Sequence, residues 1–205
     1  MGNALYDKGR QKFLEGGISW NGDTIKALLV DLDQYALAVT AATNATPIEI
    51  TTSANHNLAT GDRVSVSGVV GNANANGVWI VTVVSATKFT LNGSSGSGAY
   101  TSGGYVVKLS RDEFLSDIPA LARVATSAAL TSKTTTFGVA DADDATFASV
   151  TGAQSEAIVI FKDTGSAGSS PLIAYLDQMT NLPVTPNGGN IIAQWNNGSD
   201  KIFKL

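Results

Sequence analysis

His56 is the only histidine in the chain, and so the only candidate for acid-base catalysis by an imidazole. A catalytic histidine needs a nucleophile and an orienting carboxylate beside it, and the sequence places no such pair near this position. It lies in a Thr- and Asn-rich stretch that runs into the turn signal Thr60-Gly61-Asp62. The sequence therefore predicts that His56 is a turn residue and that the chain is not an enzyme.

Carboxylates are the remaining candidates for metal ligands, because the chain has no cysteine. Asp141, Asp143 and Asp144 form the densest cluster, and carboxylate oxygens favour hard cations such as calcium. The cluster lacks the glycine and the distal glutamate of an EF-hand loop. Asp-rich turns between strands explain such clusters more simply, and the same holds for Asp31 and Asp33. We predict no metal site and no cofactor.

A basic segment near the N-terminus contrasts with the acidic chain around it. Lys8, Arg10 and Lys12 follow one another at intervals of two residues, within a short stretch of helical spacing that ends at Gly16-Gly17. One interpretation is a solvated helix face. The other is a contact with an acidic neighbouring subunit, for which large aromatic side chains would supply binding energy. The predicted interface residues are Tyr6, Lys8, Arg10, Lys12, Phe13 and Trp20.

Overall charge and hydropathy exclude several classes of partner. The net charge is −4 and the pI is about 4.8, which argues against binding of nucleic acid through clustered cations. No segment approaches the roughly 20 apolar residues of a membrane helix, and the first residues lack the apolar core of a secretory signal. The Gly-rich stretches 93–98 and 102–104 lack the Gly-Lys-Ser/Thr ending of a phosphate loop. We therefore predict no nucleic acid and no membrane among the partners.

The composition changes abruptly in the middle of the chain. Residues 41–104 are rich in Thr, Asn, Gly, Ser and Val, and their only charged side chains are Glu49, Asp62, Arg63 and Lys88. Stretches of small residues flank this segment on both sides, as linkers do. A step of this size marks a domain boundary. We predict a host domain of residues 1–43 plus 105–205 and an inserted module of residues 44–104.

Both parts are predicted to be all-β. In the host, a short N-terminal helix precedes a buried strand at 24–30, and later apolar runs are separated by turn residues about every ten positions, as in a jelly-roll or immunoglobulin-like β-sandwich. In the insert, apolar residues alternate with polar ones, which predicts a small β-barrel or sandwich. The alternating residues are Ile48, Ile50, Val64, Val66, Trp79, Val81, Val83, Phe89 and Leu91.

The insert resembles a β module found in structural proteins of tailed bacteriophages and described as similar to a half-domain of ubiquitin-activating enzymes. The resemblance covers nearly all of residues 47–104. That description implies no activity here, since the chain has no cysteine for a thioester. The motifs that carry the resemblance are His56-Asn57-Leu58, Thr60-Gly61-Asp62, Asn76-Gly77-Val78-Trp79 and Phe89-Thr90-Leu91.

The host is also similar to small virion proteins of tailed phages. The likeness rests on Leu5-Tyr6-Asp7-Lys8-Gly9-Arg10, on Phe114-Leu115-Ser116-Asp117-Ile118-Pro119, and on the run from Leu182 to Phe203. It implies a virus particle as the setting and leaves the position within the particle open.

The function that these observations favour is a non-enzymatic virion structural protein. Our first expectation is a capsid decoration, or cement, protein that is assembled in the host cytoplasm and stabilises the shell through symmetric, repeated contacts. Its partners would be the major capsid protein or other virion subunits, with the chain itself a dimer or trimer. The alternatives are a tail, neck or fibre component, a carbohydrate-binding module with Trp79 exposed, and a glycan-cleaving enzyme with two carboxylates about 5–10 Å apart.

Overall fold

The structure is a computed structural model that describes residues 3–205. Strands predominate, and the predicted all-β class is confirmed. The α-helices are α1 (Asp7–Leu14) and α2 (Leu32–Tyr35), and four 3-10 helices cover Ala73–Ala75, Leu115–Asp117, Ala120–Ala122 and Ala167–Ser169. The strands are β1 (Ala4–Leu5), β2 (Ile25–Val30), β3 (Leu37–Ala42), β4 (Ile48–Thr52), β5 (Arg63–Ser67), β6 (Gly77–Ser85), β7 (Lys88–Leu91), β8 (Tyr105–Val107), β9 (Arg123–Thr126), β10 (Thr134–Thr136), β11 (Val139–Asp141), β12 (Ala145–Phe147), β13 (Ala157–Lys162), β14 (Leu172–Leu176), β15 (Ile191–Ala193) and β16 (Phe203–Lys204).

The chain forms two compact units. One contains residues 35–111, and the other contains residues 3–34 together with 112–205. We call them the barrel and the host.

The barrel is a closed, six-stranded antiparallel sheet in the order β3-β4-β7-β6-β5-β8, and β8 pairs with β3 to close it. Alternation along its strands sends one side chain inward and the next outward. Ile48, Ile50, Val64, Val81 and Phe89 point inward and are fully buried, as the period of two predicts. A closed barrel has no unpaired strand edge, so this small unit can bury its core without a neighbouring sheet.

The barrel extends beyond the segment marked by composition. Strand β3 pairs with β4 and β8, although its sequence of small residues looks like a linker. Strand β8 pairs with β5 and β3, although its composition groups it with the host. The structural unit of residues 35–111 is therefore wider at both ends than the predicted insert of residues 44–104.

The host is organised around a five-stranded antiparallel sheet in the order β1-β14-β13-β2-β9. Strands β2, β13 and β14 are almost wholly buried, because they form the middle of this sheet. A three-stranded sheet, β10-β11-β16, and a two-stranded sheet, β12-β15, contribute side chains to the same apolar core. The final strand places Phe203 in this core, and its backbone pairs with Ala140 of β11.

Helix α1 packs closely on the five-stranded sheet. The buried Tyr6 donates its backbone N–H to the carbonyl of Ile173 in β14, at 3.0 Å. Gly9 faces the same strand so closely that a Cβ atom built on it would lie 2.4 Å from the carbonyl oxygen of Leu172. Only glycine permits this approach, so the sequence of α1 is adapted to the strand beneath it.

Candidate binding surface

The apolar members of the predicted interface belong to the host core. Tyr6 and Trp20 are 0% and 4% exposed, and the half-buried Phe13 packs against the apolar cluster that contains Trp20. The Trp20 ring meets Phe203 edge-on at 5.1 Å, and its indole N–H donates to the carbonyl of Asp141 at 3.0 Å. The expected role of Trp20 as a surface anchor is therefore corrected: the turn beside it folds the ring inward, where its polar atom has a partner.

The three cations of α1 differ in how strongly they are bound to the rest of the host. Lys12 lies 3.0 Å from the carboxylate of Glu113, and its ammonium group sits 5.1 Å above the centre of the Phe114 ring. Arg10 faces Asp7 at 3.7 Å in an exposed pair of the kind that contributes little to stability. Lys8 reaches the side chain of Gln11 at 3.5 Å, which is a long and weak contact. Lys12 thus belongs to the fold, while Lys8 and Arg10 are available to a partner.

The aspartate cluster stabilises a turn. Two hydroxyl groups, from Ser132 at 2.6 Å and Thr131 at 3.0 Å, donate to Asp143, and these bonds lower the pKa of its carboxyl group. Asp144 instead accepts the backbone N–H of Trp195 at 3.0 Å. Asp141 faces Lys201 at 3.4 Å. The carboxylates are turned to different partners, and residues 3–205 contain no group of three or more acidic or His side chains placed to hold a metal ion.

His56 is a buried part of the barrel, with 1% of its surface exposed. The backbone N–H of Leu58 donates to Nδ1 at 3.0 Å, so the proton of the neutral ring is on Nε2, which donates to the carbonyl of Ser85 at 2.8 Å. The ring also meets Phe89 edge-on at 5.3 Å. The Nδ1 contact is internal to the loop after β4, and the Nε2 contact fastens that loop to the end of β6, so the role of His56 is structural.

We expect the substitution His56→Ala to destabilise the barrel by about 2–4 kcal/mol. It removes the hydrogen bonds to Leu58 and Ser85 and leaves the buried N–H of Leu58 without a partner. Urea unfolding, with hydrogen exchange of the amides in β4 and β7, would measure the loss. The exposed neighbour Asn55 provides the control, because Asn55→Ala removes no buried group. Equal stability of the two variants would contradict the structural role of His56.

A second group of carboxylates lies where the host strand β2 ends. Glu156 accepts the backbone N–H of Leu32 at 2.9 Å, and Asp31, which is 7% exposed, accepts that of Asp33 at 2.9 Å. Burial raises the pKa of the Glu156 carboxyl group, and the nearby charges of Asp31 and Asp33 raise it further. Ionised Glu156 therefore opposes folding at neutral pH.

We expect Glu156→Gln to stabilise the host at pH 7, by less than about 1 kcal/mol because the site is only partly buried. The amide oxygen still accepts from Leu32, while the repulsion disappears. Because the pKa of Glu156 is raised in the folded state, the protonated carboxyl group imposes no penalty on stability below the unfolded pKa. The host loses stability as the pH rises through the folded pKa and the group ionises. The gain should thus shrink towards pH 4 in thermal unfolding, and Glu15→Gln, at the exposed residue that follows α1, is the matched control and should change stability little. A gain that is independent of pH would contradict this assignment.

Three large apolar side chains lie almost fully in solvent. Leu14, Leu121 and Phe137 are 90%, 82% and 95% exposed. Phe137 is the most unusual, because it occupies the two-residue turn between β10 and β11, where both Phe137 and Gly138 have positive φ, of 54° and 77°. That geometry suits Asn, Asp or Gly and costs other residues about 1–2 kcal/mol. The run of residues 134–140 is rich in β-branched residues like a single strand, so the sequence gives no sign of this turn.

The remaining tryptophans are held by their indole N–H groups. Trp79 is half-buried against the barrel core, and its N–H donates to the carbonyl of Ala75 at 2.9 Å. Trp195 is 6% exposed, and its N–H donates to the carbonyl of Asp143 at 2.8 Å. Neither ring lies open on the surface as a platform on which a sugar would stack.

Comparison with known proteins gives a match for one part of the chain. Residues 43–109, about a third of its length, match the family described as the ubiquitin-activating enzyme E1 FCCH domain. The match coincides with the barrel and supports the resemblance of this module to a half-domain of those enzymes. The FCCH domain is a non-catalytic part of them. No curated protein matches the chain. No helix among residues 3–205 is long and apolar enough to cross a membrane.

Proposed function

We propose that this chain is a non-enzymatic structural protein of a tailed-phage virion, and that it decorates the capsid and stabilises the shell. The observation that carries the proposal is the exposure of Leu14, Leu121 and Phe137 on a host that already has a well-filled apolar core. Large apolar side chains often anchor protein interfaces, so these exposed side chains support the proposal in combination with the setting. The resemblance of the host segments to small virion proteins supplies the setting.

The contact with the shell would be made through the outer side of α1. This side carries Leu14 at the end of the helix, with Arg10 and Lys8 at its two edges and the carboxylates of Asp7 and Glu15 between them. Lys8 and Arg10 are the groups here that attract an acidic neighbouring subunit. Individual contacts of this size are weak, but many identical copies on a shell make them effective together.

Copy number tests the assignment. Gel densitometry of purified particles should give a number of copies near that of the major capsid protein. A handful of copies per particle would overturn the capsid assignment and favour a tail, neck or fibre component. Absence of the chain from purified particles would overturn the virion role itself.

Charge reversal tests the docking surface. We expect the double substitution Lys8→Glu and Arg10→Glu to lower occupancy on particles about tenfold or more, because two attractive contacts become repulsive. Its melting temperature should stay within about 2 °C of the original, since neither side chain is buried. Lys204→Glu, on the exposed side of β16, is the control. Lys12 is unsuitable because its ion pair with Glu113 belongs to the fold. Unchanged occupancy would contradict docking through α1.

A further inference from the structure

Five Asn-Gly pairs occur in the chain, and an Asn-Gly pair can react with itself in water. The backbone nitrogen of the glycine attacks the side-chain carbonyl carbon of the asparagine, and glycine has no side chain to obstruct the approach. A pair reacts readily only if the glycine nitrogen is free and the asparagine side chain can turn towards it. The pairs are Asn21-Gly22, Asn76-Gly77, Asn92-Gly93, Asn187-Gly188 and Asn197-Gly198.

Hydrogen bonds protect the first two pairs. The side chain of Asn76 is held on both sides by the backbone of Val69, because its Oδ1 accepts the N–H at 2.8 Å and its Nδ2 donates to the carbonyl at 2.9 Å. It therefore cannot turn towards the glycine that follows. Gly22 donates its N–H to the hydroxyl group of Ser19 at 3.2 Å, which occupies the nitrogen that would attack.

The last two pairs are protected at the glycine nitrogen. Gly188 donates its N–H to the carbonyl of Val150 at 2.8 Å, and Gly198 donates to Oδ1 of Asn196 at 2.7 Å. The amide nitrogen must lose its proton before it attacks, and a hydrogen bond that holds this proton slows the step. The bond from Gly198 protects less well, because the exposed side chain of Asn196 must be ordered to accept it.

Asn92-Gly93 lacks both kinds of protection. The two residues are exposed, and the N–H of Gly93 has no hydrogen-bond acceptor within residues 3–205. The Nδ2 group of Asn92, which would leave, has no partner in this part of the chain either. Oδ1 of Asn92 accepts a hydrogen bond from the hydroxyl group of Thr82 at 3.0 Å. That bond draws electrons from the carbonyl carbon and stabilises the oxyanion that the attack creates.

We propose that Asn92 is a site of spontaneous deamidation, with water as the other reactant. The nitrogen of Gly93 loses its proton to solvent and forms a bond to Cγ of Asn92. The bond from Cγ to Nδ2 breaks, the amide nitrogen takes a proton from water and leaves as ammonia, and a cyclic imide remains. Water then opens the imide at either of its two ring C–N bonds. One product is aspartate with the ordinary backbone, and the other is isoaspartate, whose backbone runs through Cγ.

Isoaspartate at position 92 loosens the barrel, because it adds a carbon atom to the backbone directly after β7. Two residues further on, the hydroxyl group of the buried Ser94 accepts the N–H of Ile48 in β4 at 2.9 Å and donates to the carbonyl of Leu91 at 2.6 Å. Both bonds require the chain to leave β7 with its present geometry. Aspartate with the ordinary backbone leaves them intact.

Peptide mapping of the purified full chain, incubated at mildly alkaline pH, tests the proposal. Deamidation should appear first at Asn92, about tenfold faster than at Asn76 or Asn187, because those pairs must first break a hydrogen bond. In concentrated urea the rates of the five pairs should converge, since unfolding removes the protection. A folded chain that reacts first at another pair, or at all pairs equally fast, overturns the proposal. So does a folded chain in which Asn92 stays intact while the chain in urea deamidates.

Three variants locate the reaction and separate its products. Asn92→Gln should abolish the early acidic species that ion-exchange chromatography resolves, because the longer side chain closes a larger ring more slowly, and Asn197→Gln should leave that species unchanged. Asn92→Asp carries the new charge on an ordinary backbone, so hydrogen exchange at the amide of Ile48 should stay slow. The isoaspartyl fraction should exchange about tenfold faster there, because its bond to Ser94 is weakened. Equally slow exchange in both would overturn the effect on the barrel.

Discussion

Removal of residues 36–110, with a short Gly-Ser linker joining Tyr35 to Arg111, should leave a soluble and folded host. Removal of residues 44–103 should not leave a soluble and folded host. The shorter deletion leaves β3 and β8 behind and exposes Val39, Ala42 and Val106, which are 5% exposed or less in the barrel. Two isolated strands with apolar faces cannot form a stable sheet, and their free edges promote aggregation. The longer deletion removes the whole unit.

The ends of the longer deletion are close enough to be joined. Leu37 and Val106 pair across β3 and β8, so the chain enters and leaves the barrel at neighbouring positions. Circular dichroism, sedimentation and the cooperativity of thermal unfolding would compare the two deletions. As a reciprocal control, residues 35–111 expressed alone should fold, because a closed barrel leaves no edge unpaired. A folded product from the shorter deletion, or an unfolded one from the longer, would show that the units are divided elsewhere.

The boundaries of the barrel show which of its strands can be predicted from the sequence. Alternation of apolar residues predicted the inner faces of β4, β5, β6 and β7, because each inward residue must be buried whichever strands are neighbours. The first and last strands of the barrel in chain order, β3 and β8, were not assigned to the insert. β3 is built from small residues, and β8 has only three residues, so neither has a pattern of its own. Their place is decided by pairing with strands distant in the sequence.

The proposed binding surface could be predicted from the sequence only in its charges. Lys8 and Arg10 lie outside the core, as a basic helix face predicts, but a short amphipathic stretch does not reveal which aromatic rings turn inward. The Trp20 ring does so because its indole N–H finds a backbone partner within the host, and Tyr6 is held at β14 by its own backbone N–H. Phe137 was missed for another reason. It follows three threonines in a run with strong β-propensity, and phenylalanine is not a turn residue, so no local signal marks the hairpin.

Gly9→Ala should destabilise the host by about 2 kcal/mol, although alanine is the better helix former by about 1 kcal/mol. The new methyl group would lie 2.4 Å from the carbonyl oxygen of Leu172 and 3.1 Å from the Cα of Ile173. Backbone atoms of a paired strand cannot yield as a flexible side chain can. Helix α1 cannot withdraw freely either, because the buried Tyr6 is bonded to Ile173 and β1 is paired with β14. Overpacking of this kind typically costs about 1–3 kcal/mol.

The direction of the stability change in Gly9→Ala separates two causes: close packing predicts a loss of stability, and helix propensity predicts a gain. A second glycine serves as the matched control. Gly168 lies in the short turn Ala167–Ser169, has no positive φ, and has no atom within 4 Å of the position that a Cβ would take. Gly168→Ala should therefore be neutral or stabilising by about 0.4–1 kcal/mol, because it restricts the unfolded chain. Thermal and urea unfolding of both variants would measure the difference. If Gly9→Ala raised stability as Gly168→Ala does, α1 would not be held against β14, and the outward orientation of Lys8 and Arg10 that docking requires would lose its structural basis.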